Sequence, residues 1–337
     1  MSSGNTPLAI PISALKLVKY KGTYQQELRT MQVKYLISSQ FDYSRVIVPD
    51  QGYYFADDYG WPTASVNDLR ATPVDVVIVD QRLQREEFDD VRALILNSKM
   101  AFFFRLVDPY WEYARAEPLF SFVSEIMDLP RVHLMFTYQP TEITALVASK
   151  VRKSGVVHAP YVYRTENELG IDHQNRAHAV LFSGAQNARI YPLRTKMLWR
   201  RALWPPLWAL SARLSHPGYP DIGHQKSHSI VGDRYVAHLA KFRFAAVCSS
   251  RCRLEFLKYR ECAYAGVVPV GDMPATLLDC PASAWVPWRR NFIELTRSLR
   301  AMSDTTGAAE EFRRFMRERR NVTDMRAWVT EQISRLA

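Results

Sequence analysis

Leu254-Glu-Phe-Leu-Lys-Tyr-Arg-Glu-Cys-Ala-Tyr-Ala-Gly-Val-Val-Pro-Val-Gly-Asp272 divides into a helix, a stop and a strand. Phe256 to Ala265 has helix-compatible spacing, Gly266 can take the left-handed conformation that ends a helix, and Val267-Val-Pro-Val270 is an apolar run closed by Gly271-Asp272. The first turn of such a helix points toward whatever lies beyond the preceding strand. Lys258 and Glu261 stand three apart on one face there. They pair a cation suited to phosphate with a carboxylate able to accept two hydrogen bonds from a ribose diol. Taken alone, the pattern also fits an amphipathic helix running into a core strand of any α/β domain.

A second segment narrows the choice. Ala177-His-Ala-Val-Leu-Phe-Ser-Gly-Ala-Gln-Asn-Ala-Arg-Ile-Tyr-Pro-Leu-Arg194 reads as a strand, a small-residue loop and a helix opened by Tyr191-Pro192, where the missing proline N–H costs little. Ser183-Gly184 lets backbone N–H groups approach an anion, and the helix N-terminus adds partial positive charge.

The string from Lys258 to Val270 resembles the helix K-x-x-E-x-x-x-x-G-x-x-P-V in the C-terminal domain of group 1, family 4-like, glycosyltransferases of the GT-B fold. The G-x(6)-Y-P-x-R spacing from Gly184 to Arg194 is similar to the first turn of that domain in a bacterial branch of the same enzymes. This resemblance implies an α/β chain of two Rossmann-like domains, with parallel sheets facing a cleft and C-terminal helices crossing back. It also implies transfer of a sugar from a nucleotide-diphosphate donor to a glycan, lipid-linked or small-molecule acceptor, as in polysaccharide biosynthesis. By motif position Glu261 becomes the ribose ligand, Lys258 a phosphate contact and Arg194 the fork-shaped phosphate ligand. Many retaining members carry a second glutamate eight positions before the first. That position here is Arg253, with Glu255 the nearest upstream acid, so retention and inversion both stay open.

The first part of the chain alternates apolar runs with amphipathic stretches. Arg45–Asp50, Val74–Asp80, Met100–Asp108 and Val132–Thr137 are expected strands of a parallel sheet covered on both faces. Asp50, Asp80 and Asp108 end three of them, where the ligand crevice of such sheets lies, although each also suits a helix cap. Asp108 is the expected acceptor-side base if the reaction inverts. The polar tract Arg164–Arg176 is read as a linker, which places an acceptor domain at 1–170, a nucleotide-sugar domain at 177–320 and a returning helix at 321–337. After it come expected strands Ala177–Ser183, Trp208–Leu214, Arg243–Ser249 and Val267–Val270, and helices Arg194–Trp204, Arg234–Lys241 and Leu257–Ala265. Ala308–Ala337 reads as two amphipathic helices. The nucleobase would be read by the loops His216-Pro-Gly-Tyr219 and Cys248-Ser249-Ser250, making His216, Tyr219, Ser249 and Ser250 candidate contacts beside Ser183 and Gly184.

A net charge of +10 favours an anionic partner: nucleotide, nucleic acid or membrane surface. Nucleic acid is the weaker reading, because the arginines are spread along the chain and no zinc finger or RNA-recognition motif is present. A catalytically inactive GT-B binding subunit is the third. No apolar run approaches the roughly 20 residues of a membrane span, and no signal peptide is read. Cys248, Cys252, Cys262 and Cys280 lack C-x-x-C spacing, so reduced, buried thiols in a cytoplasmic protein are expected. His224 and His228 have metal-compatible spacing, but Pro217, Gly218 and Pro220 make the region irregular, and neither a metal nor a cofactor beyond the donor substrate is expected. Lys196-Met-Leu-Trp-Arg-Arg-Ala-Leu-Trp-Pro-Pro-Leu-Trp208 mixes three tryptophans with basic residues. It is read as a core-facing tryptophan row with a wet basic face, peripheral contact with the inner face of a membrane being the alternative.

Overall fold

The computed structural model describes residues 31–46, 54–106, 118–138, 155–218, 227–288 and 291–337, all but Met31 within one unit, Gln32–Ala337. Two parallel sheets make its two lobes. In the first lobe the elements run β1 (Val33–Leu36), α1 (Tyr54–Tyr59), β2 (Thr63–Ala64), α2 (Val66–Ala71), β3 (Val76–Val79), α3 (Phe88–Asn97), β4 (Ala101–Leu106), α4 (Pro118–Ile126), β5 (Val132–Phe136) and β6 (Val156–His158). The strand order is β2-β1-β3-β4-β5-β6. Every residue of β3, β4 and β5 is buried, as continuous apolar runs covered on both faces require.

The second lobe runs β7 (Ala177–Ser183), α5 (Pro192–Leu203), α6 (Pro205–Ala209), β8 (Ser211–Leu214), α7 (Asp233–Leu239), β9 (Phe242–Ala246), α8 (Leu257–Ala265), β10 (Val268–Gly271), β11 (Val286–Pro287), α9 (Phe292–Ala301), α10 (Thr305–Arg319) and α11 (Val322–Ser334). Its sheet has the order β11-β10-β9-β7-β8, again parallel throughout. Alternate residues feed two cores. Leu181 and Ala245 join the one built on α7, α8 and α10, while Val180, Phe182, Phe244 and Ala246 face the one that holds Met197, Leu207, Leu295 and Leu299.

The strands expected at 74–80 and 132–137 form with shorter ends, that expected at 100–108 runs over Ala101–Leu106 within the described residues, and α8 and β7 have the expected bounds. Three differences are physical. Trp208 belongs to α6, because Pro205-Pro206 opens a helical turn and leaves only Ser211–Leu214 extended. Strand β1 lies upstream of the run at 45–50; Tyr43–Arg45 is a 3-10 turn, and residues 47–50, with Asp50, fall outside the described residues. The tract at 164–176 is pinned to the second lobe, with Arg176 donating to the carbonyls of Gly170, Ala265 and Gly266 and His173 bonded to Thr305 and Gly266.

The C-terminal helix crosses back. Gln332 exchanges two hydrogen bonds with the His158 backbone, at 3.1 and 3.0 Å, and Arg326 donates to the Asp57 and Asp58 carbonyls of α1. Between the lobes, Arg260 of α8 donates to the Val162 carbonyl at 2.7 Å, Tyr163 N–H to the Arg320 carbonyl at 2.7 Å, and Arg164 pairs with buried Asp58. Asp80, expected near the crevice, is wholly buried. Its carboxylate accepts from the Tyr35 and Tyr43 hydroxyls and the Arg82 N–H and lies 3.9 Å from Arg105, whose guanidinium is stacked 3.7 Å over Phe55. Asp80 therefore closes a turn inside the lobe.

Burial, with Arg320 adding repulsion, pushes the His158 imidazole down to about 3, and its Nε2 donates to the Thr137 carbonyl. As a base with a lowered folded pKa, it makes the unfolded chain bind more protons below its ordinary 6.5. The melting temperature is thus expected to fall as pH drops from about 6.5 to about 5, and His158→Gln, which keeps an N–H donor, should flatten that slope. Parallel pH profiles for the two proteins in differential scanning calorimetry would contradict it.

Candidate functional site

The carboxyl ends of β7 and β8 and the first turn of α8 converge on one cleft of about 180 Å³. Helix α8 enters without a side-chain cap and stops at Gly266, whose φ of 59° is left-handed. A side chain at Gly266 would collide with Ile171, so a glycine there lets the connection between the lobes pack against the helix end. This placement brings Lys258 under the last residue of β7. Its Nζ donates to the Ser183 carbonyl at 3.0 Å, the Ser183 hydroxyl at 2.7 Å and the Tyr235 hydroxyl at 3.1 Å, all neutral oxygens.

Arg194 approaches the same loop from the first turn of α5. Its guanidinium stacks 4.2 Å over the Tyr191 ring and donates from Nη1 to the Ala185 carbonyl at 3.1 Å. Among the described residues its buried Nε meets no acceptor. Gly184, at φ 94°, marks how closely the two cations flank the loop: a Cβ there would lie 2.8 Å from Arg194 Nη1 and 3.3 Å from Lys258 Nζ. Burial, reinforced by the charge of Arg194, pushes the Lys258 ammonium down to about 7, against the attraction of Glu261. Burial likewise raises the Tyr235 hydroxyl well above its usual range, and Glu261 adds to the effect. The site is a water-poor pocket with two cations, Arg194 of α5 and Lys258 of α8, and the half-buried Glu261 carboxylate one helical turn beyond Lys258. It is built to take an anion beside a group that donates hydrogen bonds.

The cleft also gathers His216, whose Nδ1 accepts from the Gly218 N–H at 3.0 Å, and Tyr138, which the first lobe contributes among the described residues. Tyr138, Phe256 and Tyr191 form an edge-to-face chain of rings, 5.3 and 5.5 Å apart, that leads from the first lobe to the Arg194 stack. Neither Tyr138 nor Tyr235 was singled out by the sequence. Tyr138 could have been, since it follows β5 at the carboxyl edge of a parallel sheet.

Of the expected site residues, Ser183, Gly184, Arg194, His216, Lys258 and Glu261 line this cleft. Ser249 and Ser250 do not. The Ser249 hydroxyl and N–H are both committed to Asp272, and Ser250 takes a left-handed turn that lets its Oγ accept from Cys252 N–H. Asp108, Tyr219 and His224 lie outside the described residues. His228 bonds the Ser215 carbonyl and accepts from Ile230 N–H within its loop. Glu255 is held by Arg320 and Thr276, and Arg253 occupies a left-handed position. Cys248, Cys262 and Cys280 are buried and Cys252 is half-buried, all as free thiols. A wider depression, about 980 Å³, runs along α10, but Arg317 there is paired with Glu168 and Arg313 with backbone carbonyls.

No protein-family model matches the chain, and no curated protein matches it in sequence. In structure it is similar to HepE of Anabaena, solved in complex with UDP and glucose, at 10% identity over 91% of this chain and 100% of that one, with a TM-score of 0.50. It is similar also to an α,α-trehalose-phosphate synthase (UDP-forming) of Burkholderia vietnamiensis, at 10% identity over 84% of this chain and 76% of that one, TM-score 0.50. The fold is GT-B. Two parallel-sheet lobes, a cleft between their carboxyl edges and a C-terminal helix returning to the first lobe follow from that arrangement. In the GT-B chain described here, the cationic pocket lies on the second lobe, and the edge-to-face rings reach it from the first.

The Lys258 ammonium is expected to titrate near 7, and Arg194→Gln, which removes the neighbouring charge, should move that midpoint upward. Side-chain NMR of lysine-labelled protein, assigned with Lys258→Met, measures both. An ordinary lysine midpoint in the parent protein would mean that the two cations do not share a desolvated site.

Proposed function

We propose that the chain is a glycosyltransferase that moves a sugar from a nucleotide-diphosphate donor to an acceptor held against the first lobe. The observation that carries this reading is the pair of buried cations, Arg194 and Lys258, flanking the Ser183-Gly184 loop one helical turn from Glu261. Their placement in a GT-B cleft, the fold of a protein solved with UDP and glucose, supports a donor diphosphate on the cations and its ribose on Glu261. Departure of the nucleotide builds charge on the distal phosphate. A guanidinium fork, an ammonium and the N–H groups around Gly184 stabilise that charge more as it grows, which is how such a site lowers the barrier. This assignment needs no metal for the leaving group, so transfer should survive a chelator. On the acceptor side Asp108, two residues after β4, is the candidate base for an inverting reaction and an acceptor-orienting group for a retaining one. His216 is the candidate base-reading residue at the cleft's other end.

A thermal-shift series with UDP, GDP, ADP, CMP and dTDP tests the reading, because a ligand that binds the folded state raises its melting temperature in proportion to occupancy. One nucleoside diphosphate should stand out. Glu261→Ala should weaken that nucleotide by about 2 kcal/mol, the scale of a charged hydrogen bond, with the fold retained. No shift with any nucleotide would remove the donor assignment; binding without transfer to any acceptor would leave a GT-B nucleotide-binding subunit.

Arg194→Lys keeps the charge and loses the planar fork, so affinity for the preferred diphosphate should drop several-fold more than affinity for the matching monophosphate. Equal losses, read by calorimetry, would place Arg194 away from the distal phosphate.

A further inference from the structure

Seven large apolar side chains stand exposed among the described residues, and four of them fall on three adjoining helices of the second lobe. They are Trp199 (71%) and Leu203 (73%) on α5, Trp208 (60%) on α6 and Ile293 (50%) on α9. The tryptophan row read from the sequence as core-facing is therefore turned outward at two of its three members; only Trp204 packs against the lobe's core. Trp199 and Leu203 are four residues apart on α5 and share one face, where Lys196 is exposed as well. A groove of about 450 Å³ between Trp204 and Pro206 on one side and Ile293, Arg297 and Arg300 on the other links α6 to α9.

Charge follows the apolar residues. Besides Arg194 of the cleft, α5 and α9 expose Lys196, Arg297 and Arg300, against one exposed acid, Glu294. We propose that the face formed by α5, α6 and α9 binds the surface of an anionic lipid bilayer. Indole rings favour the headgroup level of a membrane, apolar side chains enter just below it, and lysine and arginine meet lipid phosphates. The contact is peripheral: no helix among the described residues is long and apolar enough to cross a membrane. A second copy of the chain is a poorer occupant. Across a two-fold interface the same-sign charges of this face would meet each other, whereas the cores of stable chain interfaces are depleted of charge. Arg194 and Trp199 lie on the same helix, five residues apart, so the bilayer would approach within about 8 Å along the axis of the anion-binding end.

Co-sedimentation of the full chain with vesicles of phosphatidylcholine alone, and of phosphatidylcholine mixed with phosphatidylglycerol, tests the proposal without reference to transfer. The chain should pellet with the anionic vesicles and stay in solution with the neutral ones. Trp199→Ser/Trp208→Ser and, separately, Arg297→Glu/Arg300→Glu should each weaken vesicle binding by about tenfold or more, and rising salt should weaken it further. All four side chains are exposed, and an unchanged melting temperature confirms that each variant is folded. Three results would each overturn the proposal: no pelleting with anionic vesicles, pelleting that both double variants leave intact, or a dimer in sedimentation equilibrium that the tryptophan variant dissolves.

Discussion

Arg194 and Lys258 place two positive charges side by side where water barely reaches, and much of the second lobe is arranged around that juxtaposition. Like charges in a poorly polarisable interior repel strongly, and each loses its hydration shell. The protein offsets part of this cost with oxygens: the Ser183 carbonyl and hydroxyl, the Tyr235 hydroxyl and the Ala185 carbonyl. Glu261 supplies one negative charge nearby. What remains is a standing demand for an anion, built into the fold by the end of one strand and the first turns of two helices. The left-handed glycines follow from it, since Gly184 leaves room for the two cations and Gly266 fixes the far end of the helix that carries one of them.

The first lobe solves a different problem with the same chemistry. Arg105 stands in the middle of an otherwise apolar strand, wholly buried, and is made tolerable by an aromatic face and by the oxygens of Tyr35 and Asp80. Every partner there is internal, so the charge is consumed by structure. Arg194 differs in place: it lines the cleft beside Lys258, whereas Arg105 is enclosed by its own lobe, and that separates a buried cation that holds a fold from one available to a ligand.

Much of this was legible from residues close together in sequence. The helix with Lys258 and Glu261, its glycine stop and the strand beyond it depend on local periodicity and on one permissive residue, so they emerge with the right bounds. Strand β1 did not, because four residues containing Lys34 and Tyr35 carry little apolar signal before their neighbours are known. Trp208 was assigned to a strand because a short apolar run does not distinguish strand from helix, and the two prolines before it decided the matter. Tyr235 was invisible for another reason: its hydroxyl matters through Ser183, 52 residues away, and Lys258, 23 residues away. The outward tryptophans reverse the usual rule that the apolar face of a helix turns inward, and nothing in periodicity tells a core from another apolar surface.

The return of α11 to β6 has a bearing on how the molecule is assembled during synthesis. Gln332 and His158 are separated by 174 residues, yet their paired hydrogen bonds secure the edge of the first lobe. As the ribosome delivers the chain from its N-terminus, the first sheet can order early. Its β6 edge must wait, uncovered, while the whole second lobe is translated. An edge strand left open for that interval is a template for pairing with the wrong chain, and loop closure over so long a span is slow. The feature that ties the lobes together in the finished protein is therefore also the step at which a nascent chain is most exposed to misassembly.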